Sequence, residues 1–220
     1  MGYDPREPIA FHACVNSIVR HASEPVFIAP LALKNFERFY KERHEDGSNQ
    51  FIYSRFLVPF LMGFSGHAIY LDGDMIVNSD ISDLWKLRSH WHAAQVVKHD
   101  YKTTQAEKYL GNKNEDYPRK NWSSVILWNC GHYRNRCLLP DYVENQTGAH
   151  LHRFQWIEDE RIGEIPKEWN WLAVEYEYNP KAKLIHYTLG TPCFEDYKDT
   201  EMSIYWHNEH RLLNEPCRNP

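Results

Sequence analysis

The sequence carries no P-loop pattern, no Gly-x-Gly-x-x-Gly fingerprint, no Gly-x-Ser-x-Gly elbow and no His-Glu-x-x-His helix motif. Those absences count against P-loop NTPases, Rossmann-type dinucleotide enzymes, α/β-hydrolases and zinc peptidases, whose chemistry depends on that spacing. A basic excess is missing too: 25 Lys and Arg stand against 30 Asp and Glu, a formal charge of -5. Sequence-independent nucleic-acid binding needs a cationic footprint, so no nucleic-acid partner is expected. The five cysteines (Cys14, Cys130, Cys137, Cys193, Cys217) are odd in number and form no Cys-x-x-Cys pair. Free thiols in a reducing compartment are therefore expected, not a disulfide framework or a zinc ribbon.

Long apolar runs are also absent. The richest segment, 56–77, is interrupted by Pro59, glycines and two aspartates, and a membrane span needs about 20 apolar residues. No basic-then-apolar leader opens the chain. Met1-Gly2 starts like a myristoylation signal, but Arg6 stands where Ser or Thr is wanted. The sequons Asn121-Trp122-Ser123 and Asn145-Gln146-Thr147 lack a secretory context and are read as coincidental. A cytoplasmic protein with no integral membrane segment is expected. Repeats and low-complexity tracts are missing, and with no linker in sight residues 1–220 are read as one domain, long enough to bury a substantial core.

What is present is an alternation of short helices and strands. Apolar residues recur at helical spacing over 10–21, followed by the strand-like run Val26-Phe27-Ile28. A second helix is expected over 33–43, ending in the polar turn Glu45-Asp46-Gly47-Ser48, and a third over 54–62. Strands are expected at 67–71, 93–97, 124–128 and 183–186, with Asp80 capping a helix through Trp85 and Asp141 capping one through Asn145. The lysine-rich stretch 101–120 reads as a long mobile loop. This pattern predicts an α/β fold with a largely parallel sheet.

Against that frame one triplet stands out. Asp72-Gly73-Asp74 follows the apolar run ending at Leu71 and precedes Met75-Ile76-Val77. Two carboxylates on a turn at a strand end suit Mg²⁺ or Mn²⁺ bridging to a diphosphate, since ligands collect at the carboxyl ends of strands. At average aspartate usage such a triplet occurs by chance in about half of chains this long, so its setting has to carry the reading. His186 closes another strand and could complete an Asp/Asp/His set for Mn²⁺, which tolerates nitrogen, or could be a hydrogen-bonded interior histidine. Arg55 could pair with Asp72 or a phosphate, or sit on the surface. Asn129, before Cys130-Gly131, could hold a sugar hydroxyl or cap a helix. The acids Glu158, Asp159 and Glu160 lie near Trp156 and could face a carbohydrate or simply solvent. His90-x-His92 and His207-x-x-His210 have ligand spacing, but among 13 histidines such pairs arise easily.

Taken in order, these pieces resemble glycosyltransferase family 8, the glycogenin and bacterial lipopolysaccharide galactosyltransferase type with a GT-A fold. The residues that carry the resemblance are Gly2-Tyr3-Asp4, Tyr53-Ser54-Arg55, Tyr70 to Asp74, Trp128-Asn129-Cys130-Gly131 and the run from His186 to Pro192. More narrowly, residues 2–18, 53–61 and 120–129 resemble a branch of small glycosyltransferases from bacteria and phages. The resemblance implies a single GT-A domain with a mixed, mostly parallel central sheet flanked by helices. It implies a retaining transferase moving a hexose from a UDP-sugar to a carbohydrate or other hydroxyl acceptor. Asp72, Asp74 and His186 would hold Mn²⁺ or Mg²⁺; Tyr3, Asp4, Arg55, Asp72 and Gly190 would bind the donor; Asp100 would line the donor sugar with Arg55, and Asn129 and Asp159 would sit at the reacting sugar or acceptor. The sequence departs from the family in three places. The apolar first strand before Gly2 is nearly absent, as if truncated. Thr191 precedes Pro192 where the family has a diphosphate-binding lysine, for which Lys98 or Lys120 could substitute. Asp159-Glu160 stands where Asp-Gln is usual. A nucleotide-sugar binding or interaction module of the same fold is the alternative reading, and a nucleotidyltransferase the third.

Overall fold

A computed structural model describes residues 1–44, 49–103, 105, 107, 111 and 116–216. The expected turn at 45–48 and most of the central part of the expected 101–120 loop lie outside the described residues.

Strand β3 (His67–Leu71) has the composition of a strand buried on both faces, and the tertiary structure shows why. Successive side chains alternate between faces. Tyr70 enters one core with Tyr40, Phe56, Trp128 and Phe154, while Ile69 and Leu71 face a second core with Cys14, Val77, Leu84 and Trp169. β3 pairs antiparallel with β6 (Val125–Asn129), in a register that sets Leu71 opposite Val125 and His67 opposite Asn129. β5 (Ala94–Val96) lies antiparallel on the far side of β6 and β7 (Ile162–Glu164) parallel beside β5, giving the order β3-β6-β5-β7.

After the Asp72–Asp74 turn the chain enters a second sheet, β4 (Met75–Val77), β9 (Leu184–His186) and β8 (Trp171–Leu172), in the order β4-β9-β8. Helix α1 (Pro8–His21) opens with proline at its first turn, where a missing N–H costs nothing. It packs on β4, and Ser17 Oγ accepts a 2.9 Å hydrogen bond from the Val77 amide. The remaining helices are α2 (Val58–Leu61), α3 (Ile81–Lys86), α4 (Pro140–Asn145), α5 (Gly148–His152) and α6 (Ser203–Leu213).

Several expectations are corrected. The sheets are mixed but not mostly parallel: among the described residues three strand pairings are parallel and three antiparallel. Val26–Ile28 joins no ladder. Its Val26 and Ile28 side chains pack on the second core while Phe27 is fully exposed, and the pairing strand is β2 (Leu31–Ala32). β2 pairs in parallel with β1 (Gly2–Tyr3), a strand of two residues. The helix expected over 33–43 is a short 3₁₀ turn at Leu33–Asn35; beyond it the Lys41 amide donates to Glu144 Oε1 at 2.7 Å, drawing the chain away from helical pairing. Asp80 does cap α3, accepting from the Ser82 amide at 2.9 Å. Asp141 lies inside the first turn of α4, where it complements the dipole instead of capping. Helix α6 was not legible because it buries little apolar surface: its buried Glu209 is held by Asn16 and Arg20 of α1.

Candidate active site

β3 ends at Leu71 and β4 starts at Met75, so Asp72 and Asp74 occupy the short link between the two sheets. β9 runs antiparallel to β4 with His186 opposite Met75, and the Tyr187 amide donates to Asp74 O at 3.0 Å. This register brings His186 to the turn from far along the chain. One ligand atom from each of Asp72, Asp74 and His186 lies within 4.8 Å of the others, and all three residues are buried.

Each ligand is held in place. Asp72 takes a two-pronged contact from Arg55, with NH2 2.9 Å from Oδ1 and NH1 3.3 Å from Oδ2, and accepts from Tyr70 Oη at 2.7 Å. Arg55, itself buried, also donates to Ser123 O at 2.8 Å and lies over the Tyr70 ring. Burial pushes the Asp72 carboxyl up, Arg55 pulls it down, the Asp74 charge pushes it up again, and the net direction is upward. Burial keeps the Tyr70 phenol far above its ordinary value, so it remains a donor to Asp72. His186 Nδ1 lies 3.0 Å from Asn170 Oδ1. Asn170 Nδ2 is committed to Ser124 Oγ at 2.8 Å and to Asn121 O at 3.3 Å. The amide oxygen therefore faces Nδ1–H, which leaves the Nε2 lone pair turned toward Asp74, 3.4 Å from its Oδ1.

Asp74 Oδ1 is buried and has no hydrogen-bond partner among the described residues. An orphaned carboxylate oxygen, a second carboxylate and an imidazole lone pair converging on one point fit a divalent cation, and the nitrogen donor favours Mn²⁺ over Mg²⁺. The turn opens on a cleft with about 80 Å³ of free space, also lined by Asn49, Ile52, Tyr117, Asn121, Ser123, Ser124, His152 and Thr188.

The other expected site residues do not line this cleft. Asp4 is buried, and its carboxylate accepts from Arg6 side-chain and backbone N–H groups and from the Gln50 amide. Burial pushes its pKa up, but the Arg6 and Gln50 bonds outweigh this and hold it below the ordinary value. Tyr3 stands edge-on to Phe11. Gly190 is needed for packing, since a Cβ there would come within 2.6 Å of the Tyr197 ring. Asp100 is exposed, and Asp159, 77% exposed, pairs with Arg119. Asn129 lies at the opposite end of the strands. β6 is antiparallel to β3, so its carboxyl end faces His67, about 13 Å from Leu71 at strand rise. Its amide donates instead to His90 O at 3.1 Å. The residues that reach the cleft from β6 come from its amino end, Asn121, Ser123 and Ser124, and an antiparallel pairing was the missing signal. Of the substitutes for the absent lysine, Lys98 lies over the Trp122 ring and Lys120 over Tyr117. The histidine pairs at 90–92 and 207–210 form no three-ligand metal group among the described residues.

The profile of glycosyl transferase family 8 matches residues 12–191. The chain belongs to that family. Protein CDI of Arabidopsis thaliana is 42% identical over 222 residues, covering 97% of this chain and 86% of its own. That relative is a plant protein, which corrects the expectation of a bacterial and phage branch. Among solved structures, WbbM, titled a bifunctional glycosyltransferase, matches with a TM-score of 0.69 at 15% identity, over 98% of this chain. The chain spans about half of WbbM's length, 49%. The galactosyltransferase LgtC, solved with donor and acceptor sugar analogs, matches with a TM-score of 0.61 at 12% identity, over 99% of this chain and 96% of its own. These structural likenesses establish a GT-A α/β domain. Among the described residues this family 8 chain has no helix long and apolar enough to cross a membrane.

Proposed function

We propose that this family 8 protein is a retaining, divalent-metal-dependent glycosyltransferase that moves a hexose from a UDP-sugar to a hydroxyl acceptor. The observation that carries the reading is the convergence of Asp72, Asp74 and His186 around the orphaned Asp74 Oδ1. Asp72, Asp74 and His186 would hold the cation, which would supply positive charge against a departing diphosphate. The chain's own residues do the remaining work. Arg55 and Tyr70 fix the Asp72 carboxylate from behind, so its orientation needs no rearrangement as charge develops. Asn170 holds the His186 ring in the tautomer with Nε2 free. Ser123, Ser124 and Thr188 line the cleft with hydroxyl groups, and Thr188 Oγ1 has no partner among the described residues, leaving it available to a phosphate or sugar oxygen. Family membership supports retention and a UDP-hexose donor. No protein nucleophile is assigned. The donor-side roles of Tyr3, Asp4, Asp100 and Gly190 and the reacting-sugar or acceptor roles of Asn129 and Asp159 require that donor or acceptor binding bring these residues to the cleft.

One observation favours the non-enzymatic alternative. Where the family carries a lysine for the diphosphate, Thr191 Oγ1 donates to the buried carboxylate of Glu7 at 3.0 Å, an acidic partner in place of a basic one. Turnover separates the two readings. With a panel of UDP-sugars, wild-type protein is expected to release UDP only when Mn²⁺ is present, and Asp74→Asn to lose at least a hundredfold of that rate. Equal turnover by Asp74→Asn would remove the metal site from the chemistry. UDP binding without any turnover would leave the binding module.

A further inference from the structure

A second cavity, of about 440 Å³, lies outside the metal cleft, at the turn that follows β8. Its walls are Lys167, Trp171, Tyr176 and Tyr178 with the carboxylates of Glu175 and Glu177. The volume falls within the roughly 300–1,000 Å³ typical of small-molecule sites. Two of the aromatic groups, Trp171 and Tyr176, are fixed before any ligand arrives. Tyr176 Oη is 2.7 Å from His99 Nδ1, and the Lys167 ammonium lies 3.4 Å from the centroid of its ring. Trp171 Nε1 donates to Glu177 O at 3.0 Å and its ring stands 5.2 Å from that of Tyr176. Tyr178 is 54% exposed at the rim. Val174, a β-branched residue, takes a left-handed backbone with φ of 71° in this turn. That conformation is costly for such a residue and is maintained where the surrounding structure requires it. It lets the Tyr176 amide return to Leu172 O at 3.0 Å while the Tyr176 ring swings onto His99.

Rigid aromatic faces beside carboxylates suit a saccharide. Its C–H faces pack on the rings, and its hydroxyls donate to Glu and Asn oxygens. Two carboxylates against one ammonium disfavour a phosphate, so the nucleotide donor is excluded and a neutral sugar is favoured. The cavity is connected to the metal cleft through two side chains. The Tyr176 ring stands 5.6 Å from Tyr101, whose Oη accepts a 2.7 Å hydrogen bond from Asn121 Nδ2 in the wall of the metal cleft.

We propose that the Trp171–Tyr178 cavity is a saccharide subsite that holds a non-reacting sugar of a neutral oligosaccharide acceptor; this rests on the glycosyltransferase reading above. The test measures binding of lactose, maltotriose, cellobiose and xylobiose by saturation-transfer NMR and calorimetry, without UDP. Wild type is expected to bind at least one. Tyr178→Ala, at an exposed position, and Glu177→Gln, with an exposed side chain, are expected to weaken it tenfold or more, and Asp74→Asn to leave it intact. Binding lost in Asp74→Asn but kept in both cavity variants would put the sugar in the metal cleft and overturn the subsite. So would no binding of any of the four sugars to wild type. Tyr178-dependent binding in a protein that turns over no UDP-sugar would uphold the subsite while the enzymatic reading fails.

Discussion

Asn170 touches the candidate ligand His186 without being one of the three itself. Fully buried, it spends its N–H groups on Ser124 Oγ and Asn121 O and its oxygen on His186 Nδ1, so one side chain ties β8, the amino end of β6 and β9 into a single arrangement. A histidine ligand whose second nitrogen loses such a partner typically costs about 10–100-fold in metal affinity. Asn170→Ala is therefore expected to weaken Mn²⁺ binding by that factor, read from the free Mn²⁺ signal in an electron paramagnetic resonance titration. Unchanged affinity in a folded variant would mean that the Nδ1 contact does not orient His186. Arg55 makes the same point about legibility. Its position ahead of the Asp-x-Asp turn was visible in the sequence. Pairing with Asp72 was one of the alternatives left open there, and the choice among them needed β3, the 3₁₀ turn at Ser54–Leu57 and the Ser123 carbonyl assembled together.

At the scale of elements, the decisive piece is the turn between β3 and β4. Gly73 presses against β1 so closely that a Cβ would come within 2.8 Å of the Gly2 carbonyl oxygen. The obstacle is backbone, which cannot rotate out of the way. Gly73→Ala is expected to cost about 1–3 kcal/mol, the usual range for overpacking, and to loosen both aspartates at once. Urea unfolding with a parallel Mn²⁺ titration checks this, and a variant as stable as wild type would show that β1 does not bear on the turn. Strand β3 and helix α3 were legible because a doubly buried run and an aspartate cap are local signals. Val26–Ile28 misled for the converse reason: strand preference describes a fit to neighbours, and among the described residues no strand pairs with that segment.

For the molecule as a whole, the site lies where two sheets and two cores meet, so a cation bound there ties them together. A ligand present at a hundred times its dissociation constant stabilises the native state by about 2.7 kcal/mol. For a domain of this size each kcal/mol shifts the melting temperature by about 2–4 °C. Mn²⁺ is accordingly expected to raise the melting temperature by on the order of 5–10 °C, Mg²⁺ by less because of the nitrogen ligand, and neither to stabilise Asp74→Asn. Equal shifts in wild type and Asp74→Asn would place cation binding elsewhere on the chain.

The sequence by itself determined the family, the strand that delivers Asp72, and the chemical identity of the three candidate ligands. These are properties of short runs, spacing and side-chain type. Which residues stand beside those ligands was decided only by the tertiary structure. The direction in which β6 pairs with β3 moved Asn129 to the far end of the strands and brought Asn121, Ser123 and Ser124 to the cleft. A strand's local sequence is compatible with either direction of pairing. Its neighbours, and the closure of the two cores around it, choose between them.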